Sequence, residues 1–229
     1  MKRLWLVLLL ACARGKPEVP ILAYHSVGGA ASDYVVPVPA FEQQLDWLAA
    51  QGFHTISLHE LAERRAGRAR LPSRAIVLTF DDGKSDALEV VLPLLRKHDM
   101  RATFFIITGQ IGRPGFLSWA GVRALAAAGM EIGSHTRSHP RLPDLTNAAA
   151  EEELKSSKAI LEAQLGGPVE ALAYPYNSLR SHTVALVAEA GYRIAVAGPA
   201  HGTSDVLRLR RLPVEGFTPL SVIQDAVGR

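Results

Sequence analysis

Two short stretches of the 229-residue sequence contain the residue types most suited to chemistry. Asp81 and Asp82 stand side by side in LTFDDG, at the end of an apolar run, and His135 and His139 are spaced as H-x-x-x-H in SHTRSHP. Two histidines and one aspartate form the two-nitrogen, one-oxygen set that holds a catalytic zinc ion and leaves positions for water. One aspartate would coordinate the cation, whose charge offsets the repulsion between the carboxylates, and the other would stay free as a base.

Each stretch alone has a simpler interpretation. Asp81 and Asp82 with Gly83 are typical of a turn that carries a helix N-cap, which would be the favoured interpretation without the histidines. The histidines lie between Gly133 and Pro140, so they fit a turn that begins a helix as well as a helix with both imidazoles on one face. The combination of the two stretches therefore predicts a metal site.

Seven short apolar runs predict the strands that must position these residues. The runs are too apolar to keep one face in water, as in a parallel sheet, and amphipathic helical patterns separate them. Their sequences are PILAY, AIVLTF, ATFFII, MEIGS, VEALAYP, YRIAVA and RLRRLPV. This alternation predicts an α/β fold, either an open doubly wound sheet or a closed barrel, and periodicity does not choose between them.

Polar clusters follow four of these runs. They are YHS at 24–26, DDG at 81–83, SHTRSHP at 134–140 and YPYN at 174–177. Because α/β folds collect their chemistry at the C-terminal ends of the strands, we expect the four clusters to meet at one mouth. We expect at least one of the two tyrosines in the last cluster to pack in the core.

Several helix ends are also indicated. The predicted N-caps are Ser57, which forms a capping box with Glu60, and further along the chain Ser118 and Ser181. The longest helix is predicted at about residues 148–165, where a Gly-Gly-Pro sequence ends it.

The first residues resemble an export signal. They combine a basic start, an apolar core at residues 4–10 that is too short for a membrane span, and small residues after it. Cys12 follows Leu-Leu-Ala, as in a bacterial lipobox, and an ordinary signal cut after Ala13 is the alternative. We therefore expect residues 1–19 to be a signal and short linker, and residues 20–229 to be one domain. The expected location is the periplasm or cell envelope as a lipoprotein, or otherwise outside the cell.

Composition argues against some partners. The formal net charge is only +3 and the charges are mostly interspersed, so a dedicated nucleic-acid surface is not expected. We expect a monomer whose contact with a membrane, if any, is a lipid on Cys12.

Together, TFDDG at 79–83 and HTRSH at 135–139 resemble the first two motifs of the polysaccharide deacetylases, which are metal-dependent carbohydrate esterases. The similarity runs from PILAYHSV near the start to RRLPV near the end. It implies a distorted (β/α)7 barrel in a single domain. It also implies a divalent cation, with Zn²⁺ favoured over Co²⁺, Ni²⁺ and Mn²⁺.

The resemblance also implies roles for single residues. Asp82, His135 and His139 match the metal ligands, Asp81 matches the catalytic base, and the backbone N–H of Tyr176 matches the donor that stabilises the oxyanion.

Three features depart from the family's usual pattern. Ala173 stands where the third motif normally has an arginine that pairs with the base, so Arg210 or Arg211 would have to replace it, unless both are exposed strand charges. The usual Trp-containing fourth motif is not visible. No histidine follows His201, although the family usually has a late Leu-x-x-His motif. The early LAYHSV and late RLPV resemble the poly-N-acetylglucosamine branch, which implies that His25 is the general acid; a core histidine under the first loop is the alternative.

The function implied is removal of N-acetyl groups from an N-acetylglucosamine-containing polysaccharide, with release of acetate. The missing arginine and late histidine favour a non-catalytic carbohydrate-binding relative as one alternative. An O-acetyl esterase or a small-molecule amidase would use the same site, although export argues against the amidase, because polymeric substrates lie outside the cytoplasm.

Overall fold

The computed structural model describes residues 18–201 and 205–228, so the predicted signal with Cys12 lies outside the described residues. The strands are β1 (Ile21–Tyr24), β2 (Ser26–Gly28), β3 (Val35–Pro37), β4 (His54–Thr55), β5 (Ala75–Phe80), β6 (Thr103–Ile106), β7 (Glu131–Ser134), β8 (Ala171–Ala173), β9 (Ile194–Ala197), β10 (Leu209–Arg210) and β11 (Leu212–Pro213). The helices are α1 (Val38–Ala50), α2 (Leu58–Arg65), α3 (Leu92–Lys97), α4 (Trp119–Ala127), α5 (Asn147–Leu165), α6 (Ser181–Glu189) and α7 (Leu220–Val227).

The main sheet is parallel and nearly closes into a barrel. Its strand order is β10-β9-β8-β7-β6-β5-β1-β11, with β4 paired to the start of β5. At its two ends, β10 pairs with β9 and β11 pairs with β1. Only Arg211 separates β10 from β11 along the chain, so one interrupted strand joins both edges. The seven predicted strands are confirmed, and the fold is a distorted (β/α)7 barrel in a single domain.

Burial on both faces explains why the strand sequences are apolar throughout. Every residue of β1, β5, β6, β8 and β9 is buried. The rings of Tyr24, Phe80 and Phe104 stack in succession, with neighbouring centroids 5.0 and 5.1 Å apart. Strands packed in this way offer no side chain to solvent along their length, so their polar ends are where chemistry can take place.

The helix ends agree with the sequence in most places. Ser57 and Glu60 form the predicted capping box, and the Ser118 hydroxyl accepts a hydrogen bond from the N–H of Gly121. The predicted cap at Ser181 is wrong, because Ser181 is already the first residue of α6. Among the described residues, none of the helices combines the length and apolar character that crossing a bilayer requires.

Candidate functional site

The polar residues that follow β5, β7 and β8 lie together at one end of the barrel. Asp82 follows β5, and its Oδ1 lies 3.7 Å from Nε2 of His135, the residue after β7. The ring of His139 lies 4.6 Å from the ring of Tyr176, which follows β8. These three clusters therefore share the mouth that the sequence predicts.

Asp82, His135 and His139 form a candidate metal centre, because one ligand atom from each lies within 4.8 Å of the others. The Nε2 atoms of the two histidines are 3.1 Å apart, and Asp82 Oδ1 is 3.9 Å from Nε2 of His139. A tetrahedral zinc ion bound at about 2.0–2.2 Å holds its ligand atoms about 3.3–3.6 Å apart. The observed separations and the donor set fit a small divalent cation.

The histidine pair lies in a loop, so the helical interpretation of the H-x-x-x-H spacing is wrong. Thr136 and His139 both have a φ of 64°, which breaks helical geometry and folds the loop back on itself. The Thr136 hydroxyl accepts a hydrogen bond from the N–H of His139 at 3.0 Å. Backbone strain of this kind costs about 1–3 kcal/mol per residue and persists where the surrounding structure holds it.

Glu153 of α5 holds this loop from outside, and the sequence analysis did not find it. Its carboxylate accepts hydrogen bonds from the N–H groups of Arg137 and Ser138 at 2.9 and 2.8 Å, and from the Ser138 hydroxyl at 2.6 Å. These contacts lie between the two histidines along the chain. The only available signal was a glutamate on the helix that follows the motif, and such a residue is most often a solvated surface charge.

The two histidines are held in the neutral form that binds metals. His135 Nδ1 lies 2.8 Å from the carbonyl oxygen of Ala173, which can only accept, so the ring proton is on Nδ1 and Nε2 presents a lone pair to the site. Burial lowers the pKa of His135. Burial and the neighbouring His135 lower the pKa of His139 to about 4. Neutral imidazoles with a free Nε2 lose no proton on binding a cation at neutral pH.

Asp81 is buried beside this group and forms a two-point ion pair with Arg211. Arg211 Nη1 and Nη2 each donate to one Asp81 carboxylate oxygen at 2.7 Å, and Nη1 also donates to the Thr79 hydroxyl at 3.1 Å. Burial raises the pKa of Asp81, but the charges of Arg211 and His135 and the Arg211 hydrogen bonds outweigh it, so the pKa lies below its ordinary value. The Asp81 carboxylate is therefore ionised at neutral pH.

The structure decides between the two arginines that the sequence left open. Arg211 is 3% exposed and reaches Asp81, whereas Arg210 is exposed and pairs with Glu18 at 3.2 Å. Ala173, which occupies the place of the usual arginine, instead supplies the carbonyl that orients His135.

His25 lies at the mouth, not in the core. It directly follows β1 and is half-buried, whereas its neighbour Tyr24 is fully buried. The N–H of Asp81 donates to the carbonyl of Tyr24 at 2.9 Å, which places His25 next to the residues that follow β5. The fourth polar cluster therefore joins the other three, as predicted. His201 lies elsewhere in the mouth region, with Nε2 3.1 Å from the carbonyl oxygen of Asn177.

The two tyrosines after β8 have different surroundings. Tyr174 is buried, and its hydroxyl donates to the carbonyl of Leu207 at 2.8 Å, which confirms that at least one of them packs in the core. Tyr176 is 58% exposed and has a φ of 56°. This unusual backbone conformation stands directly beside His139.

The sequence profile of the polysaccharide deacetylases matches residues 68–195, which is more than half of the chain. The chain belongs to the polysaccharide deacetylase family.

Individual relatives agree with this assignment. The chain is 28% identical over 200 residues to YxkH of Bacillus subtilis, whose name places it among the polysaccharide deacetylases, with 86% of this chain and 71% of that protein covered. It is 25% identical over 175 residues to a poly-β-1,6-N-acetyl-D-glucosamine N-deacetylase of Staphylococcus aureus, with 70% of this chain and 60% of that protein covered. The structure of the Streptococcus pyogenes deacetylase PplD in complex with acetate superposes with a TM-score of 0.86 at 26% identity, over 92% of this chain and 98% of that one.

Family membership connects the candidate metal centre with a metal-dependent reaction. Deacetylases of this family are metal-dependent, and Asp82, His135 and His139 are the described residues with the donor set and spacing for a cation. Asp81 is paired with an arginine in this polysaccharide deacetylase too. The arginine is Arg211, which lies between β10 and β11, and not a residue of the third motif.

Proposed function

We propose that this polysaccharide deacetylase hydrolyses the N-acetyl groups of an N-acetylglucosamine-containing polysaccharide and releases acetate. The observation that carries the proposal is the convergence of the Asp82, His135 and His139 ligand atoms next to the ionised Asp81 carboxylate. A buried, ion-paired carboxylate beside a cation site argues against the non-catalytic alternative, because pure sugar binding needs neither feature.

The proposed mechanism assigns one step to each residue. A divalent cation held by Asp82, His135 and His139, with Zn²⁺ proposed, would polarise the acetamide carbonyl and lower the pKa of a bound water to about 7. Asp81 accepts the proton of the attacking water, since its carboxylate is ionised and Arg211 fixes its orientation.

Two further groups act as the acetamide breaks down. The backbone N–H of Tyr176 donates to the oxygen that becomes negatively charged. Tyr176 supports this role by its position, because it lies directly beside His139 and has a positive φ. His25 then gives a proton to the nitrogen that leaves as an amine, because an unprotonated amine anion is a very poor leaving group.

Substrate class is tested by acetate release from matched oligomers. We expect β-1,6-linked N-acetylglucosamine oligomers to release more acetate than chitin oligomers, peptidoglycan or O-acetylated xylan. The reasons are the early histidine motif and the similarity to the Staphylococcus aureus enzyme, which is named for that polymer. Chelator treatment is the control and should stop release, with recovery when Zn²⁺ is returned. Binding of oligomers without acetate release at any metal concentration would favour the non-catalytic alternative.

The role of His25 is tested by changing the leaving group. His25→Ala should retain metal and lose about 10²–10⁴-fold of amide hydrolysis, the usual contribution of a positioned acid. The hydrolysis of an activated aryl acetate should be nearly unchanged, because its phenolate leaves without needing a proton. The measurement is kcat/KM on both substrates for the variant and the wild type.

His201→Ala is the matched control, since His201 also lies near the mouth and contacts the Asn177 carbonyl. It should change the ratio of amide to ester hydrolysis little. Equal losses on both substrates in His25→Ala would show that His25 is not the acid, and a selective amide loss in His201→Ala would transfer the role to His201.

We also propose that the protein is exported as a lipoprotein, because Cys12 follows Leu-Leu-Ala after a basic and apolar start, and that it acts as a monomer. Processing that is sensitive to globomycin, and labelling by a palmitate analogue, should both depend on Cys12. Cys12→Ser should abolish the labelling. Normal processing of Cys12→Ser, together with no lipid on the wild type, would instead indicate a simple signal peptide.

A further inference from the structure

Asp86 is a third carboxylate in the loop after β5, and neither the metal centre nor the proposed base uses it. Its Oδ1 accepts a hydrogen bond from the Ser26 hydroxyl at 2.8 Å, and its Oδ2 accepts one from the N–H of Val27 at 2.7 Å. Both oxygens therefore bind the two residues that directly follow His25, although about sixty positions of the chain separate them.

The Asp86 carboxylate does not cap the helical turn that follows it. Asp86 precedes a π-helical turn at Ala87–Val91 that runs into α3, a place where an aspartate often caps the helix N-terminus. Here the side chain makes no capping hydrogen bond. The N–H of Leu88 bonds to the carbonyl of Ser85 instead. The carboxylate contacts β2 instead, so its hydrogen bonds there need a different explanation.

The His25 imidazole depends on its backbone for its position. In the described part of the chain its ring has no hydrogen-bond partner, and its aromatic contact is Tyr34, whose ring lies at 76° to it with centroids 5.1 Å apart. The N–H of Ser26 donates to the Tyr34 carbonyl at 3.0 Å. In addition to the pairing of β2 with β3, Asp86 supplies two side-chain hydrogen bonds to this segment, which tie it to the loop that carries Asp81 and Asp82.

We propose that Asp86 is a positioning residue that sets the distance between the His25 imidazole and the cation site. The inference rests on the proposed role of His25 as the general acid. A proton donor has to approach the leaving nitrogen to about 2.6–3.2 Å. A displacement of about 1 Å can cost about 10²-fold in rate. Residues 81–86 then contain the base Asp81, the metal ligand Asp82 and the positioning residue Asp86. Because these three residues are close together in one short loop, their positions relative to one another are fixed.

The test is a double-mutant cycle with two substrates. Asp86→Ala should lower amide hydrolysis by about 10²-fold. It should keep the metal content of the wild type and stay within about threefold on an activated aryl acetate, which needs no acid. In a His25→Ala enzyme, Asp86→Ala should cause no further loss on the amide, because the group that it positions is already absent.

Two companion variants make the result specific. Glu89→Ala removes an exposed carboxylate from the same segment and should leave both activities within about twofold, as expected for a surface substitution. Ser26→Ala removes one of the two bonds to Asp86 from the opposite side and should give a smaller selective loss of amide hydrolysis, even if Asp86→Ala fails to fold.

Two results would overturn the role of Asp86: equal losses on amide and ester, or an undiminished loss when His25 is already Ala. These results are distinguishable from a failure of the proposed function. A wild-type enzyme that releases no acetate from any substrate would contradict the proposed function. An active wild type in which the losses from Asp86→Ala and His25→Ala are additive would contradict only the positioning role of Asp86.

Discussion

His135→Ala and His139→Ala are each expected to abolish acetate release and to lower the metal content of the purified protein. Each change removes one of three proposed metal ligands whose atoms lie within 4.8 Å of one another. His135 should be the more damaging of the two, because it is buried and already oriented by the Ala173 carbonyl. Elemental analysis after purification, followed by an acetate assay with added Zn²⁺, measures both effects.

His182→Ala is the matched control for these variants. His182 is exposed at the start of α6 and should lose neither metal nor activity. Unchanged metal stoichiometry in both ligand variants would contradict the metal centre. Loss of activity with metal retained would instead place the histidines in a different role.

Asp81→Asn is expected to keep the metal and lose about 10²–10⁴-fold in kcat, because Asp81 is the proposed base and a positioned base contributes this much. Asparagine has the size of aspartate and leaves Asp82, His135 and His139 in place. Its amide cannot accept a proton from water at neutral pH. The measurement is kcat together with metal stoichiometry for the variant and the wild type.

Stability has to be followed in the same variant, because Arg211 loses its partner. Breaking one side of a buried ion pair typically costs about 3–5 kcal/mol of folding free energy. Thermal denaturation shows how much of any loss is unfolding, and activity should be compared well below the melting temperature. An Asp81→Asn enzyme within about threefold of the wild-type kcat would show that another group is the base.

The sequence predicted the barrel strands well for a physical reason. Strands such as β5 and β9 are buried on both faces, so their apolar runs carry an unambiguous signal. The positions of the polar residues after β5 and β7 could be predicted equally well, since an apolar run that ends in charged residues marks a strand end. Closure of the barrel was different, because it depends on pairing between segments far apart in the chain.

The inward orientation of Arg211 could not be predicted from the local sequence. Arg210 and Arg211 are adjacent and of one type, and only strand pairing determines which of them points inward. The partner of Arg211, Asp81, is 130 positions away. The loop from 135 to 139 is a similar case, because the left-handed conformations of Thr136 and His139 are stabilised by contacts such as those of Glu153, which no spacing rule contains.

The single residue between β10 and β11 links the ion pair of Asp81 to the last strands of the barrel. Those strands are the last in the chain, and contacts over such a separation are expected to form late in folding. Until the last strands dock, Asp81 lacks the opposing charge of Arg211, although the strands that precede Asp82 and His135 come earlier in the chain. The ion pair that fixes the orientation of the Asp81 carboxylate is therefore among the last contacts of the barrel to form.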